Sequence, residues 1–219
     1  MEITVIDYKS GGNLFSLLNS LEAVDAKFKV SSNPDEISHA KKVLFPGVGS
    51  YKAAMDKLQE LELGEVIKEK IQESCPFLGI CVGMQVLFQE GEENSLDGKN
   101  IPGLNAIPGL INKLSKKEGF KIPHMGWNQV RISSPQNPLF KGIEDKSYFY
   151  FVHSYAYNFN ADSEILKKFP KAEFSRTTHS EDFLSSFWNG ENLFSTQFHP
   201  EKSSKQGLQI LKNFKDLNL

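Results

Sequence analysis

Cys81 stands in the run Phe77-Leu78-Gly79-Ile80-Cys81-Val82-Gly83-Met84-Gln85, with a glycine two residues to either side. A β run meets a helical run at this cysteine, the pattern of a nucleophile elbow, in which a tight strand-to-helix turn lifts the reactive atom out of a sheet. The glycines belong to that geometry, because a side chain there would collide with neighbouring backbone. The turn sets Cys81 at the positive end of a helix read from Val82 to Phe88, which favours thiolate over thiol. A free thiol near pKa ~8.5 is mostly protonated at neutral pH, so a nucleophile needs such help. Far along the chain, Gln197-Phe198-His199-Pro200-Glu201-Lys202-Ser203 offers a base. Side chains two apart in an extended segment point the same way, so His199 and Glu201 share a face around Pro200. A carboxylate so placed holds the imidazole in one tautomer and stabilises its cation. Attack on a carbonyl carbon makes an oxyanion, for which each backbone N–H donor is worth ~3 kcal/mol. The N–H of Val82 is one donor, and Pro46-Gly47-Val48-Gly49, also at a strand end, is the natural source of a second.

These residues need a scaffold that brings distant segments together, and the first half of the chain reads as one. Ile3 to Asp7, Phe28 to Ser31, Val43 to Phe45 and Phe77 to Ile80 read as strands. Between them, Asn13 to Val24, Tyr51 to Leu61 and Glu65 to Glu73 read as helices, the first with Leu14, Leu17, Leu18 and Leu21 on one face. Strands alternating with helices imply right-handed βαβ units and a parallel sheet covered on both faces. The second half reads as strands over Leu110 to Leu114, Gln129 to Ile132, Ser147 to Val152, Phe183 to Trp188 and Leu193 to Phe198, closed by a helix from Lys205 to Leu217. The expectation is one α/β domain over residues 1–219, with a central mostly parallel sheet, helices on both faces and extra antiparallel strands in the C-terminal half. Charged Lys113 to Glu118 reads as a solvated loop.

Composition excludes several functions. A net charge of −2 and a pI near 6.2 give no electrostatic basis for binding nucleic acid or an anionic membrane. No apolar run approaches the roughly 20 residues that span a bilayer. Met1 to Val5 enters a strand pattern at once, without a basic region or cleavage-site pattern, so a cytosolic location is expected. The 17 phenylalanines fall at strand periods and suit core packing rather than base stacking. Of the two cysteines, Cys75 reads as a reduced core thiol.

Five segments together resemble the class I, triad-type glutamine amidotransferases, and within that class the glutaminase subunits of imidazole glycerol phosphate synthases. They are Pro46 to Gly49, Gly79 to Gln85, Pro123-His124-Met125-Gly126-Trp127-Asn128, Tyr150-Phe151-Val152-His153-Ser154-Tyr155 and Gln197 to Ser203. The elbow and His-Pro-Glu segments mark the superfamily; the Pro-His-Met-Gly-Trp-Asn and Phe-Val-His-Ser-Tyr segments mark the subunit. The resemblance implies hydrolysis of L-glutamine, with no cofactor and no metal. Cys81 would be the acylated nucleophile, His199 the general base and acid, and Glu201 its orienting carboxylate. Val48, Gly49 and Val82 would form the oxyanion hole, and Gln85, Ser154 and Tyr155 would hold the substrate's amino-acid end. Asn13, Trp127, Asn128, Tyr150 and Lys202 would face a partner, the (β/α)₈-barrel cyclase that consumes the ammonia. His124 and His153 receive no catalytic role and read as structural; His39 and His179 read as surface residues.

The chain departs from the family in its first loop, where Asp7-Tyr8-Lys9-Ser10-Gly11-Gly12-Asn13 carries one extra residue, and in Lys171 to Glu181. Three alternatives therefore stand beside the histidine-pathway subunit. One is a paralogue supplying ammonia to an amidine-forming enzyme of surface-sugar biosynthesis. The others are a non-catalytic protein of the same fold, which the intact triad disfavours, and a cysteine peptidase, which Gln85 disfavours.

Overall fold

The computed structural model of the chain describes residues 1–9, 14–96, 98–133, 136–159 and 163–218. The first half runs β1 (Ile3–Ile6), α1 (Leu14–Ala23), β2 (Phe28–Ser31), α2 (Pro34–Ser38), β3 (Val43–Gly47), α3 (Tyr51–Glu60), α4 (Leu63–Gln72), β4 (Phe77–Cys81) and the single-turn α5 (Val82–Gln85). The remainder is strand-rich: β5 (Phe88–Leu96), β6 (Lys99–Pro102), β7 (Ile107–Lys113), β8 (His124–Gln129), β9 (Arg131–Ile132), β10 (Tyr148–His153) and β11 (Tyr155–Tyr157). Then come α6 (Ser163–Lys168), β12 (Glu173–Thr178), β13 (Asp182–Trp188), β14 (Leu193–Thr196) and α7 (Ser204–Asp216).

The main sheet has the order β2-β1-β3-β4-β14-β13-β12-β9. Its first five strands are parallel and its last three antiparallel. Every residue of β1 and β4 is buried, as expected of strands covered on both faces. Right-handed crossovers explain the cover: β1 to β2 steps one way along the sheet, β2 to β3 and β3 to β4 the other, which sends α1 to one face and α2, α3 and α4 to the opposite one. In agreement, α1 packs on α7, while α2 and α3 pack on α4. Helix starts are capped where the sequence supplies acceptors: Asn33 Oδ1 takes the Asp35 N–H at 2.8 Å, and Ser50 Oγ takes the Ala53 N–H at 3.3 Å. The far end of α7 hangs on a buried cation. Lys42 Nζ donates to the carbonyls of Phe214, Lys215 and Leu217 at 2.9, 2.6 and 2.8 Å. Burial lowers its pKa, and the three carbonyls and the helix C-terminus supply the compensation.

Three elements differ from the sequence reading. The elbow helix stops at Gln85, because the chain turns away into β5 at Phe88. The Gln129 to Ile132 strand is instead two, with β8 carrying the whole His-Met-Gly-Trp-Asn segment and only β9 joining the main sheet. The last strand ends at Thr196, so His199 and Glu201 sit in a turn, Pro200–Lys202 being one turn of 3₁₀ helix. Strands β5, β6, β11 and β12 and helices α2 and α6 were not legible. Cys75 is a buried free thiol, Ser115 to Glu118 is exposed, and no described helix is long and apolar enough to cross a membrane.

Candidate active site

Strand pairing brings the two chemical segments side by side. β4 pairs with β3 so that Cys81 lies opposite Gly47, and with β14 so that Ile80 lies opposite Thr196. Three residues past Thr196 the chain reaches His199, beside the elbow. Cys81 itself adopts φ 54° and ψ −111°, a strained conformation for a residue with a side chain. The surrounding glycines make room for it: a Cβ on Gly83 would lie 2.1 Å from the Phe45 carbonyl oxygen, and one on Gly47 2.3 Å from the Gly83 nitrogen. With α5 only one turn long, the anion-favouring element at Cys81 is the local N–H groups rather than a long helix dipole.

His199 is 1 % exposed, and its backbone is clamped: its N–H donates to the Tyr150 carbonyl at 2.9 Å and its carbonyl accepts from Ser203 Oγ at 2.6 Å. Ser203 Oγ in turn accepts the Tyr150 N–H at 2.9 Å. Nδ1 of His199 meets Glu201 Oε1 at 2.7 Å, so the proton on Nδ1 is held and Nε2 is left as the working atom. Burial alone pushes the imidazole down, but the charge and hydrogen bonding of Cys81 and Glu201 outweigh it and hold His199 well above its usual range, at about 10. The predicted pairing of His199 with Glu201 forms, through a turn rather than a strand.

A cavity of about 250 Å³ opens over Cys81. At ~30 Å³ per water it holds roughly eight waters, the size of a free amino acid. Val48, Gly49, Cys81, Val82, Gln85, Ser154, Tyr155 and His199 all line it, so the expected oxyanion and substrate residues are brought together. Gly49 takes φ +91°, a left-handed conformation that a side chain would strain. The cavity also contains Glu93, which sequence reasoning missed. Its Oε2 accepts the Tyr51 N–H at 2.7 Å, and burial pushes its carboxyl up against the opposing pull of that N–H and Lys113. Within the acidic run Glu90 to Glu93 nothing marks one carboxylate as special; only the return of β5 over the elbow aims it inward.

Other candidates fall outside the cavity. Trp127 and Tyr150 are register partners on β8 and β10 with rings 6.1 Å apart, and Lys202 Nζ sits 5.8 Å from the Tyr150 ring. Together with exposed Met125 and Tyr148 they form an open, largely aromatic face with the Lys202 cation on it. Asn128 turns inward instead, donating to the Thr178 carbonyl at 2.9 Å. Asn13 lies outside the described residues. His39 is exposed as expected, but His179 is partly buried and stacks on His124 with ring centroids 4.2 Å apart. His124 and His153 are buried and hydrogen-bonded to each other.

The family model for class I glutamine amidotransferases matches residues 4–217. The chain is 42 % identical over 215 residues to the imidazole glycerol phosphate synthase subunit HisH of Methanocaldococcus jannaschii, covering 98 % of this chain and 99 % of that one. It is 43 % identical over 216 residues to the HisH subunit of Methanosarcina acetivorans, covering 98 % of each chain. Among solved structures, the glutaminase domain of Trypanosoma brucei CTPS with bound acivicin superposes with a TM-score of 0.68 at 15 % identity, covering 100 % of this chain and 95 % of that one. PurLQS from Thermotoga maritima gives 0.69 at 14 % identity, covering 97 % and 96 %. Those two likenesses establish the fold; identity over the full length establishes the family. The chain belongs to the class I glutamine amidotransferases and, within them, to the HisH subunits of imidazole glycerol phosphate synthase.

Proposed function

We propose that this chain hydrolyses L-glutamine at Cys81 and passes the ammonia to a cyclase (β/α)₈-barrel protein, in a heterodimer in the cytoplasm. The observation that carries the reading is the buried Cys81, His199 and Glu201 set around an amino-acid-sized cavity, in a chain about two-fifths identical along its length to HisH subunits. In this reading Cys81 Sγ attacks the side-chain amide carbon, and the N–H groups of Val48 and Val82, with Gly49 shaping the loop, receive the oxyanion. His199, protonated at rest, gives its Nε2 proton to the leaving amine, and C–N cleavage leaves a thioester and ammonia. Neutral His199 then takes a proton from water, whose oxygen attacks the thioester, and glutamate leaves as Sγ is regenerated. Gln85, Ser154 and Tyr155 line the end that receives the amino-acid backbone, and the carboxylate of Glu93 is the partner for the substrate's ammonium. The exposed face of Met125, Trp127, Tyr148, Tyr150 and Lys202 is the docking surface.

The test is glutamine hydrolysis by the chain with and without the barrel protein and its ligand, together with ring synthesis from glutamine or from ammonium salts. Wild type should use both nitrogen sources; Cys81→Ala should lose the glutamine-dependent reaction and keep the ammonium-dependent one. Loss of both together, or glutamine turnover retained by Cys81→Ala, sinks the assignment. An amidine-forming client gains no support, because the extra loop residue that suggests it falls among residues 10–13, outside the described ones.

A further inference from the structure

Hydrogen bonds run without a break from the β8 strand to the nucleophile, and their directions are fixed atom by atom. Asn128 Oδ1 accepts the Gln129 N–H at 2.8 Å, so its Nδ2 is the donor end of the amide. One Nδ2 hydrogen goes to the Thr178 carbonyl at 2.9 Å and the other toward His124 Nε2 at 3.2 Å. His124 Nε2 is therefore an unprotonated acceptor, and the ring's single proton sits on Nδ1, 3.0 Å from His153 Nε2. His153 repeats the pattern, its Nδ1–H donating to the Tyr155 carbonyl at 2.9 Å. That carbonyl takes a second hydrogen from Gln85 Nε2 at 2.8 Å, and Gln85 gives its other hydrogen to Gln197 Oε1 at 3.0 Å. The Gln197 amide, oriented by that acceptance, ends the line with Nε2 donating to Cys81 Sγ at 3.7 Å.

The four side chains between Asn128 and Cys81 are 1–6 % exposed: Gln197 1 %, Gln85 3 %, His124 4 %, His153 6 %. Because the Tyr155 carbonyl accepts from both sides and has no proton to pass, the line fixes positions and does not conduct protons. It also depends on a backbone irregularity. Side chains four apart on an extended strand sit roughly 13 Å from each other, and His124 meets Asn128 because Gly126 between them takes φ +130°.

We propose that Gln197 is a positioning residue for Cys81, held by this directed chain from Asn128, so that a displacement of β8 is felt at the nucleophile's sulfur; the inference rests on Cys81 being the nucleophile of the proposed glutaminase. A second proton on either histidine would set two N–H groups face to face, so the chain holds only while both rings are neutral. Their burial favours that state, holding both well below the usual imidazole range. The titratable groups facing the pair are His179, stacked on His124, and His199 from the cavity side.

Two readouts on the full chain test this, both in a Cys75→Ala background and neither using glutamine turnover. Ring nitrogen NMR should find His124 and His153 as neutral Nδ1–H tautomers between about pH 6 and 8, with Asn128→Asp converting His124 to the imidazolium. Alkylation of Cys81 by iodoacetamide should slow about tenfold at neutral pH in Gln197→Glu, an isosteric change that turns an acceptor toward the sulfur in place of a charge-assisted donor. His153→Phe, which removes the donor to the Tyr155 carbonyl, should slow it in the same direction by a smaller factor, and it carries the comparison if Gln197→Glu does not fold. An Nε2–H tautomer on either ring of the wild type, or alkylation unchanged in the folded variants, overturns the proposal. Shifted alkylation in a chain that cannot hydrolyse glutamine would refute the proposed function and leave the positioning role standing; normal glutaminase with unshifted alkylation would do the reverse.

Discussion

At His199 the geometry separates two roles that mutation can read. His199→Asn removes the group proposed to move both protons, and glutaminase turnover should fall by several orders of magnitude. Glu201→Gln leaves an acceptor within reach of Nδ1 and removes only the charge, so its loss should be smaller, with the activity confined to a lower pH range as the imidazolium loses its counter-charge. Steady-state assays of the two variants decide it, and near-normal turnover in His199→Asn would require another base. Glu93 is expected to behave differently. Glu93→Gln should raise KM for glutamine about tenfold and lower kcat far less, because the ammonium it faces is the same in the ground and transition states. Equal loss in kcat and kcat/KM would instead tie Glu93 to the chemistry.

At the scale of elements, the turn that carries His199 and Glu201 is braced from behind by α7. A Cβ on Gly207 would lie 1.8 Å from the Pro200 carbonyl oxygen, so the first turn of the helix rests directly on the backbone between His199 and Glu201. Gly207→Ala should destabilise the fold by about 2 kcal/mol, in the range of an overpacked core, and lower turnover beyond what the lost stability explains. A thermal melt and an assay well below the midpoint test the two parts; unchanged activity would show that the turn does not depend on the brace. The same elements show what the sequence makes legible. The elbow and the His-Pro-Glu segment stand out because residue type and short spacing carry them, and β1, β3 and β4 stand out because buried parallel strands are runs of mostly apolar residues. The β5–β6 pair does not, since Phe88 to Leu96 is rich in acidic residues and the carboxylate that reaches the cavity is chosen by tertiary packing. Nor does the histidine pair: strand β8 reads as an ordinary motif until Gly126 bends it.

For the molecule as a whole, the buried neutral histidines set a limit at low pH. His124 is lowered from 6.5 to about 4, by burial first and the charge of His179 second; His153 is lowered to about 3, by burial first and then by the charges of His124, His179 and His199, against the opposing hydrogen bond to the Tyr155 carbonyl. The unfolded chain accepts these protons below about pH 6.5 while the folded chain refuses them, so stability is full above that pH and falls as pH drops toward 4. Each refused proton costs about 1.4 kcal/mol per pH unit in that window. Urea unfolding at a series of pH values should show this slope, and His153→Phe should reduce it; a slope unaffected by the substitution would place the acid sensitivity elsewhere. The adjacency of β4 and β14 has a consequence in time. Phe77 pairs with Leu193, so the strand that carries Cys81 leaves the ribosome long before its neighbour exists. At roughly 5–20 residues per second that interval is roughly 6–23 s, during which Cys81 has no base beside it. On the proposed roles a half-made chain has no complete active site, and the long loop that must close before β14 inserts makes this pairing one of the slower steps of folding.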